Sequence, residues 1–374
     1  MLNLTKRELA GQEVTLLGFG CMRLPKAADG KIDRVLAAKM LDYAFESGVN
    51  YYDTAYMYHD GESELFLGEY LKKHDRASFN LATKLPCWDI KTIDDAKRLF
   101  EDQRRKLQVE YFDYYLLHCM NTQLFDKVLK LGIIDLMEEY KKQGMIRHFG
   151  FSFHDGYESF ERIIKAHNWD FCQIQYNYMD QEEQAGNKGY ELAKSLGIPV
   201  IVMEPVKGGS LAKLPEDIEE MFKEIDPEKS IAAHALTWVA THDNIKLVLS
   251  GMTTMEQVVD NINTFTEFKP YTDAEMEKVQ DIAEKIRAKV ANPCTGCRYC
   301  VPCPQEVAIP YIFKVWNQYR MYQNAGGARW DWSQLAEAKK PSNCIECGRC
   351  ESLCPQKISI IDNLKQAALE LGNL

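Results

Sequence analysis

No uninterrupted apolar run in the 374 residues approaches the roughly 20 that a membrane-spanning helix needs. The opening stretch MLNLTKRELAGQEV lacks the apolar core of an export signal. No run of Lys and Arg builds a basic surface, and the net charge is −10 with a pI near 5.4. That balance argues against a nucleic-acid backbone or an anionic membrane as the main partner. The expectation is a cytoplasmic protein with neither kind of partner. Low-complexity segments are missing, and so is a G-x-G-x-x-G turn after the first apolar run. What is present is a globular composition, 46% apolar and 27% charged, long enough for one large domain and a smaller one.

Eight short apolar runs alternate with helical patterns over about 260 residues. The runs are TLLGFGCM, GVNYYDTA, FNLATKL, YFDYYLLH, IRHFGFSF, FCQIQYNY, IPVIVMEP and IKLVLSGM. Between them, stretches such as RVLAAKMLDYAFESG and YESFERIIKAH repeat apolar residues at three and four positions, as helices packed on a sheet require. Eight strand–helix units predict an α/β fold, a (β/α)8 barrel of the TIM type, over residues 1–270. A doubly wound open sheet is the structural rival. Residues 271–374 then hold a polar helix, DAEMEKVQDIAEKIRAKV, and a small, mainly helical domain rich in cysteine.

Twelve cysteines are present, and eight of them lie beyond residue 290. Disulfides suit small exported domains, so tight cysteine runs in a large chain without an export signal favour metal. The first run is Cys294, Cys297, Cys300 and Cys303-Pro304; the second is Cys344, Cys347, Cys350 and Cys354-Pro355. The second matches the bacterial ferredoxin spacing C-x2-C-x2-C-x3-C-P, and the first has one residue fewer before its last cysteine. In that pattern three thiolates of one loop take three corners of a cubane, and the cysteine before Pro reaches the other cluster. This predicts two [4Fe–4S] clusters, one on Cys294, Cys297, Cys300 and Cys354, the other on Cys344, Cys347, Cys350 and Cys303. A pair of four-cysteine zinc sites is the alternative, although zinc ribbons use two CxxC pairs with a long gap. The stretch VAIPYIFKVWNQYRMYQN between the runs predicts a helix and resembles helical ferredoxin-like domains.

Barrel enzymes place their chemistry at the C-terminal ends of the strands. Asp53 and Tyr58 follow the second strand, Lys84 ends the third and His118 ends the fourth. Taken singly, Asp53 reads as a cap, Tyr58 as a loop aromatic, Lys84 as a solvated strand end and His118 as a core histidine. Four reactive groups at three consecutive strand ends point instead to one site.

Here the chain resembles the aldo-keto reductase family. LLGFGCMRLP, DTAYMY with Gly61-Glu62-Ser63-Glu64, TKLP, YLLHC, GFSF, QIQYN and SGMTTMEQVVDNIN follow the family landmarks in order over roughly residues 10–265. The resemblance implies that Tyr58 is a general acid, that Lys84 lowers its pKa, that Asp53 holds Lys84, and that His118 hydrogen-bonds the substrate carbonyl. It also implies a nicotinamide, NAD(P)H, with Ser152 and Gln173 on its carboxamide and Ser250, Gly251, Gln257 and Asn261 further along it. Phe153 stands where the family often has Asn, and Met203 where many members stack an aromatic residue. The cations that grip the phosphate of NADP in many members are not in the Ser250–Gln257 loop, which leaves NAD against NADP undecided, with Lys207 as a compensating cation.

A hydride carries two electrons and a cluster usually one. Three readings follow. The first is a nicotinamide-dependent reductase of small carbonyls, or a catalyst of alcohol oxidation in reverse with the same cofactor, with clusters that are structural or wired to a redox partner protein. The second is an electron-transfer protein whose barrel is a scaffold without turnover. The third is a flavin- or ferredoxin-driven reductase, although no decisive flavin site is legible. Met22, Met57, Cys87, Trp88, Met120 and His154 lie near strand ends as pocket candidates.

Overall fold

The computed structural model describes residues 3–374. It divides into two compact units, one containing the residues up to Gly208 with Ala233–Thr272, the other Gly209–Ala232 with Asp273–Leu374. Among the described residues, no helix is long and apolar enough to cross a membrane.

The first unit is a closed parallel barrel preceded by a hairpin. The hairpin pairs β1 (Lys6–Leu9) with β2 (Gln12–Thr15). The barrel strands are β3 (Leu17–Gly20), β4 (Tyr51–Asp53), β5 (Asn80–Leu85), β6 (Phe112–Met120), β7 (Ile146–Phe153), β8 (Phe171–Gln175), β9 (Val200–Met203) and β10 (Ile245–Gly251). They pair in chain order, and β10 closes on β3. Seven of the eight apolar runs named above contain one of these strands and the eighth, YFDYYLLH, covers all but the last two residues of β6, so the closed barrel, not the open sheet, is the outcome.

Alternate residues face the barrel interior, as period-2 strands demand. Tyr51, Ala82, Tyr114, Leu116, Phe171, Ile201, Leu247 and Leu249 form one buried cluster with Leu9 and Val14 of the hairpin. The hairpin thereby plugs the barrel, and the Tyr114 hydroxyl donates to the Leu9 carbonyl at 3.1 Å. Strand β3 contributes no interior bulk: a Cβ on Gly18 would stand 2.7 Å from the Leu247 side chain.

Helix starts follow sequence chemistry. Asp33 caps Arg34–Glu46, and Thr92 and Thr254 build capping boxes at Ile93–Leu107 and Met255–Phe265. Between strands, Asp113 accepts from Leu81 N at 2.9 Å, from Arg76 at 2.5 Å and from Arg147 at 3.0 Å while fully buried. Asp113→Ala removes the acceptor of all three bonds at once. Because the arginines still reach water, we expect a loss of about 3 kcal/mol, at the low end for a broken buried pair, read by urea denaturation.

The second unit is helical. Its core gathers Ile309, Ile312, Phe313, Trp316, Ile360, Leu364 and Leu371 among others, from the helices Ile309–Tyr322 and Ile360–Gly372. The segment Gly209–Ala232, which sequence alone left with the barrel, lies in this unit because its helix Glu216–Lys223 packs on Asp273–Ala288. Lys289 also pairs with Asp217 at 2.6 Å.

Candidate active site and cysteine cavities

The interior register that fills the barrel also delivers the polar groups. Asp53 follows Tyr51 on the inward face of β4, Lys84 follows Ala82 on β5, and His118 follows Leu116 on β6. Ser152 on β7 and Gln173 on β8 are Cα partners across the ladder. All five therefore meet at the C-terminal end of one barrel.

Lys84 is the centre of the group and is fully buried. Its ammonium donates to Asp53 Oδ1 at 2.6 Å, to the Thr54 carbonyl at 2.8 Å and to the Tyr58 hydroxyl at 3.3 Å. Tyr58 arrives from a loop, not a strand. The next three residues, His59, Asp60 and Gly61, all take positive φ, and this turns the chain back over the barrel mouth before the helix Glu62–Leu71 begins. The Tyr58 and His118 rings are 6.0 Å apart, edge to face, and Trp88 lies 5.0 Å from His118.

The electrostatics favour one protonation state for each group. Burial works against the Lys84 ammonium, but Asp53 and Tyr58 outweigh it and its pKa rises, so it stays charged. Burial pushes His118 well below the ordinary histidine range, with Lys84 adding to the effect, so its ring is neutral. For Tyr58 burial is also the largest influence and raises the pKa; Lys84 draws it down but does not win. The lowering expected from the sequence is thus present as a contribution and reversed in the sum.

Three buried atoms of the site have no hydrogen-bond partner: Asp53 Oδ2, His118 Nδ1 and Gln173 Oε1. The Gln173 amide nitrogen donates to Met203 Sδ at 3.4 Å, which leaves its carbonyl oxygen to accept from a donor such as a carboxamide. That free acceptor is of the kind an amide N–H of a nicotinamide would fill.

The other positions assigned by resemblance are differently occupied. Ser250 and Asn261 are buried and bonded to each other at 2.8 Å. Gly251 lies under the Arg23 side chain. Gln257 accepts from Thr253 N at 2.7 Å within the helix cap, a use that the spacing Thr254-x-x-Gln257 already signals. Phe153 packs on Phe160, between strand and helix. Lys207, the compensating cation, is paired with buried Asp180. Of the pocket candidates, Met22 and Met57 are exposed, Cys87 and Met120 are buried, and His154 bonds Gln184.

In the second unit the thiols surround two small cavities. Cys294, Cys297, Cys300 and Cys354 line the first; Cys303, Cys344, Cys347 and Cys350, with Cys300 again, line the second. The cysteine before Pro in each run thus faces the other run. Six of the eight thiols pack on the apolar core, whereas Cys297 and Cys347 are exposed. Asn317 fixes the entry to the first run, accepting from Ala291 N and Asn292 N and donating to the Asn292 carbonyl. A zinc site needs four donors about 2.3 Å from one point. Among the described residues, no group of three or more His, Cys, Asp or Glu closes on a single ion in that way. Four or more thiols line each cavity, the donor set that a [4Fe–4S] cluster takes.

A closed (β/α)8 barrel with an Asp, Tyr, Lys and His at its mouth defines a class of oxidoreductase. The aldo/keto reductase family profile matches residues 16–284, and the chain belongs to that family. A 4Fe-4S dicluster domain profile matches residues 293–359. Among similar proteins, the uncharacterized oxidoreductase YqkF of Bacillus subtilis is 25% identical over 307 residues, covering 74% of this chain and 95% of that protein. The NADH-specific methylglyoxal reductase of Escherichia coli is 25% identical over 328 residues, covering 75% and 99%. The holo form of an aldo-keto reductase from Bacillus halodurans superposes with a TM-score of 0.64 at 28% identity, over 75% of this chain and 96% of that one.

Proposed function

We propose that the chain reduces a small carbonyl compound, or oxidises the alcohol in reverse, with Tyr58 as the proton donor. The observation that carries this reading is the buried Lys84 ammonium held between Asp53 and the Tyr58 hydroxyl. As a carbonyl gains electrons its oxygen becomes basic. The Tyr58 hydroxyl gives it a proton, and Lys84, 3.3 Å away, stabilises the phenolate left behind. Neutral His118 donates a hydrogen bond to the same oxygen and orients it. Asp53 keeps Lys84 aimed; burial is the larger influence on its carboxyl and raises its pKa, and the ion pair offsets that cost in part. Ser152 and Gln173 would hold the nicotinamide amide, and a bound NADH or NADPH supplies the hydride.

The chain works as a barrel domain within residues 1–270, less the segment Gly209–Ala232, and an iron–sulfur domain over 271–374, the latter holding two [4Fe–4S] clusters on the crossed ligand sets. The exposure of Cys297 and Cys347, one in each run, favours clusters that exchange electrons with a redox partner protein over purely structural ones. If instead the clusters reduce reversibly while no carbonyl turns over, the barrel is a scaffold.

The test is an anaerobic rate measurement with small aldehydes and ketones, NADH and NADPH, across pH. Tyr58 must be protonated to act as an acid, so activity is present below its pKa and lost above it. Its pKa lies above 10.0 and that of His118 well below 6.5, so reduction should be flat between about pH 6.5 and 10. A fall centred near pH 7 contradicts this assignment.

A further inference from the structure

Strands β6 and β7 run in register from Phe112 opposite Ile146 to Leu117 opposite Phe151, and resume with Met120 opposite Phe153. Two residues, His118 and Cys119, therefore stand against Ser152 alone, which is a β-bulge. Cys119 takes the bulged conformation, with φ of 57°, a region that costs a residue with a side chain about 1 kcal/mol or more. Its amide points out of the ladder and finds the Ser152 hydroxyl oxygen at 2.8 Å. His118 is buried, with no partner on Nδ1, so no hydrogen bond to that nitrogen orients its ring.

We propose that Ser152 is a positioning residue for His118: its hydroxyl accepts the Cys119 amide, fixes the bulge, and so sets the angle at which the imidazole enters the site. The proposal rests on His118 acting on the substrate oxygen as described above, and it gives Ser152 a task distinct from holding a carboxamide. Without the acceptor, the part-buried Cys119 amide loses its partner, and the strand relieves this by shifting register or rotating the bulge. Either movement displaces His118, and displacement of a positioned group by about 1 Å costs up to about 100-fold in rate.

The test uses the full chain with its clusters, labelled with 15N-cysteine and handled anaerobically. In Ser152→Ala the Cys119 amide should exchange with solvent at least about fivefold faster, and the His118 ring signals should shift. The exchange of Met120 and Phe153, followed in uniformly labelled protein, should change little. Ser152→Thr keeps the hydroxyl and should restore both signatures. In turnover, kcat for the carbonyl should fall about 10- to 100-fold in Ser152→Ala, beyond any rise in nicotinamide Kd, read by protein fluorescence, that comes from losing its contact with the carboxamide. Unchanged Cys119 exchange overturns the proposal, as does a large rise in nicotinamide Kd with His118 signals unmoved. General loosening of β6 and β7 together also overturns it, because it marks Ser152 as a packing residue. If the wild-type chain turns over no carbonyl, the proposed function fails, while the exchange and ring signals still decide the role of Ser152.

Discussion

Tyr58→Phe should lower the rate of carbonyl reduction about 1,000-fold, within the range that a general acid contributes, and leave the clusters and the fold in place. The substitution deletes one oxygen. Lys84 loses its 3.3 Å contact but keeps Asp53 at 2.6 Å and the Thr54 carbonyl at 2.8 Å, so its charge stays compensated. The ring keeps its edge-to-face position against His118. By contrast, Lys84→Met strands a buried carboxylate on Asp53 and should cost about 3–5 kcal/mol of stability, which would confuse a kinetic reading. Tyr58→Phe is therefore the cleaner probe. Rates are measured anaerobically with both nicotinamides, alongside cofactor Kd and the visible spectrum of the clusters. An activity within tenfold of wild type would reassign the proton to another group, and a loss of nicotinamide binding of the same size would place Tyr58 in recognition and not in chemistry.

That this residue could be singled out from sequence has a physical cause. Strand ends in a barrel all open to one face, so the order Asp53, Tyr58, Lys84, His118 along the chain is also an order around the site. Apolar periodicity was enough to find the eight strands because each buries both faces, one in the barrel interior and one under helices. The hairpin β1–β2 was not legible. Its turn puts both Ala10 and Gly11 at positive φ, and alanine gives no hint of this, unlike the Asn or Asp that commonly marks such turns. The bulge at Cys119 was equally hidden, since cysteine carries no preference for φ near 57°. The sign of the Tyr58 shift was hidden for a different reason: Lys84 can be read from the sequence, but the depth of burial that outweighs it cannot. At the positions that the resemblance assigns further along the cofactor, the difficulty was competition. Gln257 and Asn261 are spent on a helix cap and on Ser250, and only the folded chain shows which bond each side chain makes.

Pairs of cysteine substitutions should show whether the two runs exchange their last ligands. A cluster that loses one of four thiolates is expected to be lost or degraded, so Cys354→Ala should take a preparation from about eight iron per chain to about four. The informative step is the second substitution, because removing two ligands of one cluster costs no more than removing one, whereas removing ligands of different clusters costs both. The Cys354 side chain lines the cavity of Cys294, Cys297 and Cys300, and Cys303 lines that of Cys344, Cys347 and Cys350. Accordingly, Cys294→Ala with Cys354→Ala should retain about four iron, and Cys344→Ala with Cys354→Ala should retain almost none. Uncrossed runs give the opposite pattern, with Cys344 and Cys354 redundant and Cys294 and Cys354 additive. The counterpart with Cys303→Ala, which should retain about four iron with Cys344→Ala and almost none with Cys294→Ala, is the sharper half, since that run is one residue shorter than the ferredoxin spacing and the chain has less slack to carry the thiolate across. Six of the thiols pack on the same apolar core, so a chain emptied of both clusters should also lose the cooperative melting of that unit. Iron and sulfide analysis must therefore be paired with circular dichroism: only a double variant that keeps four iron and its helical signal reports on ligand topology alone.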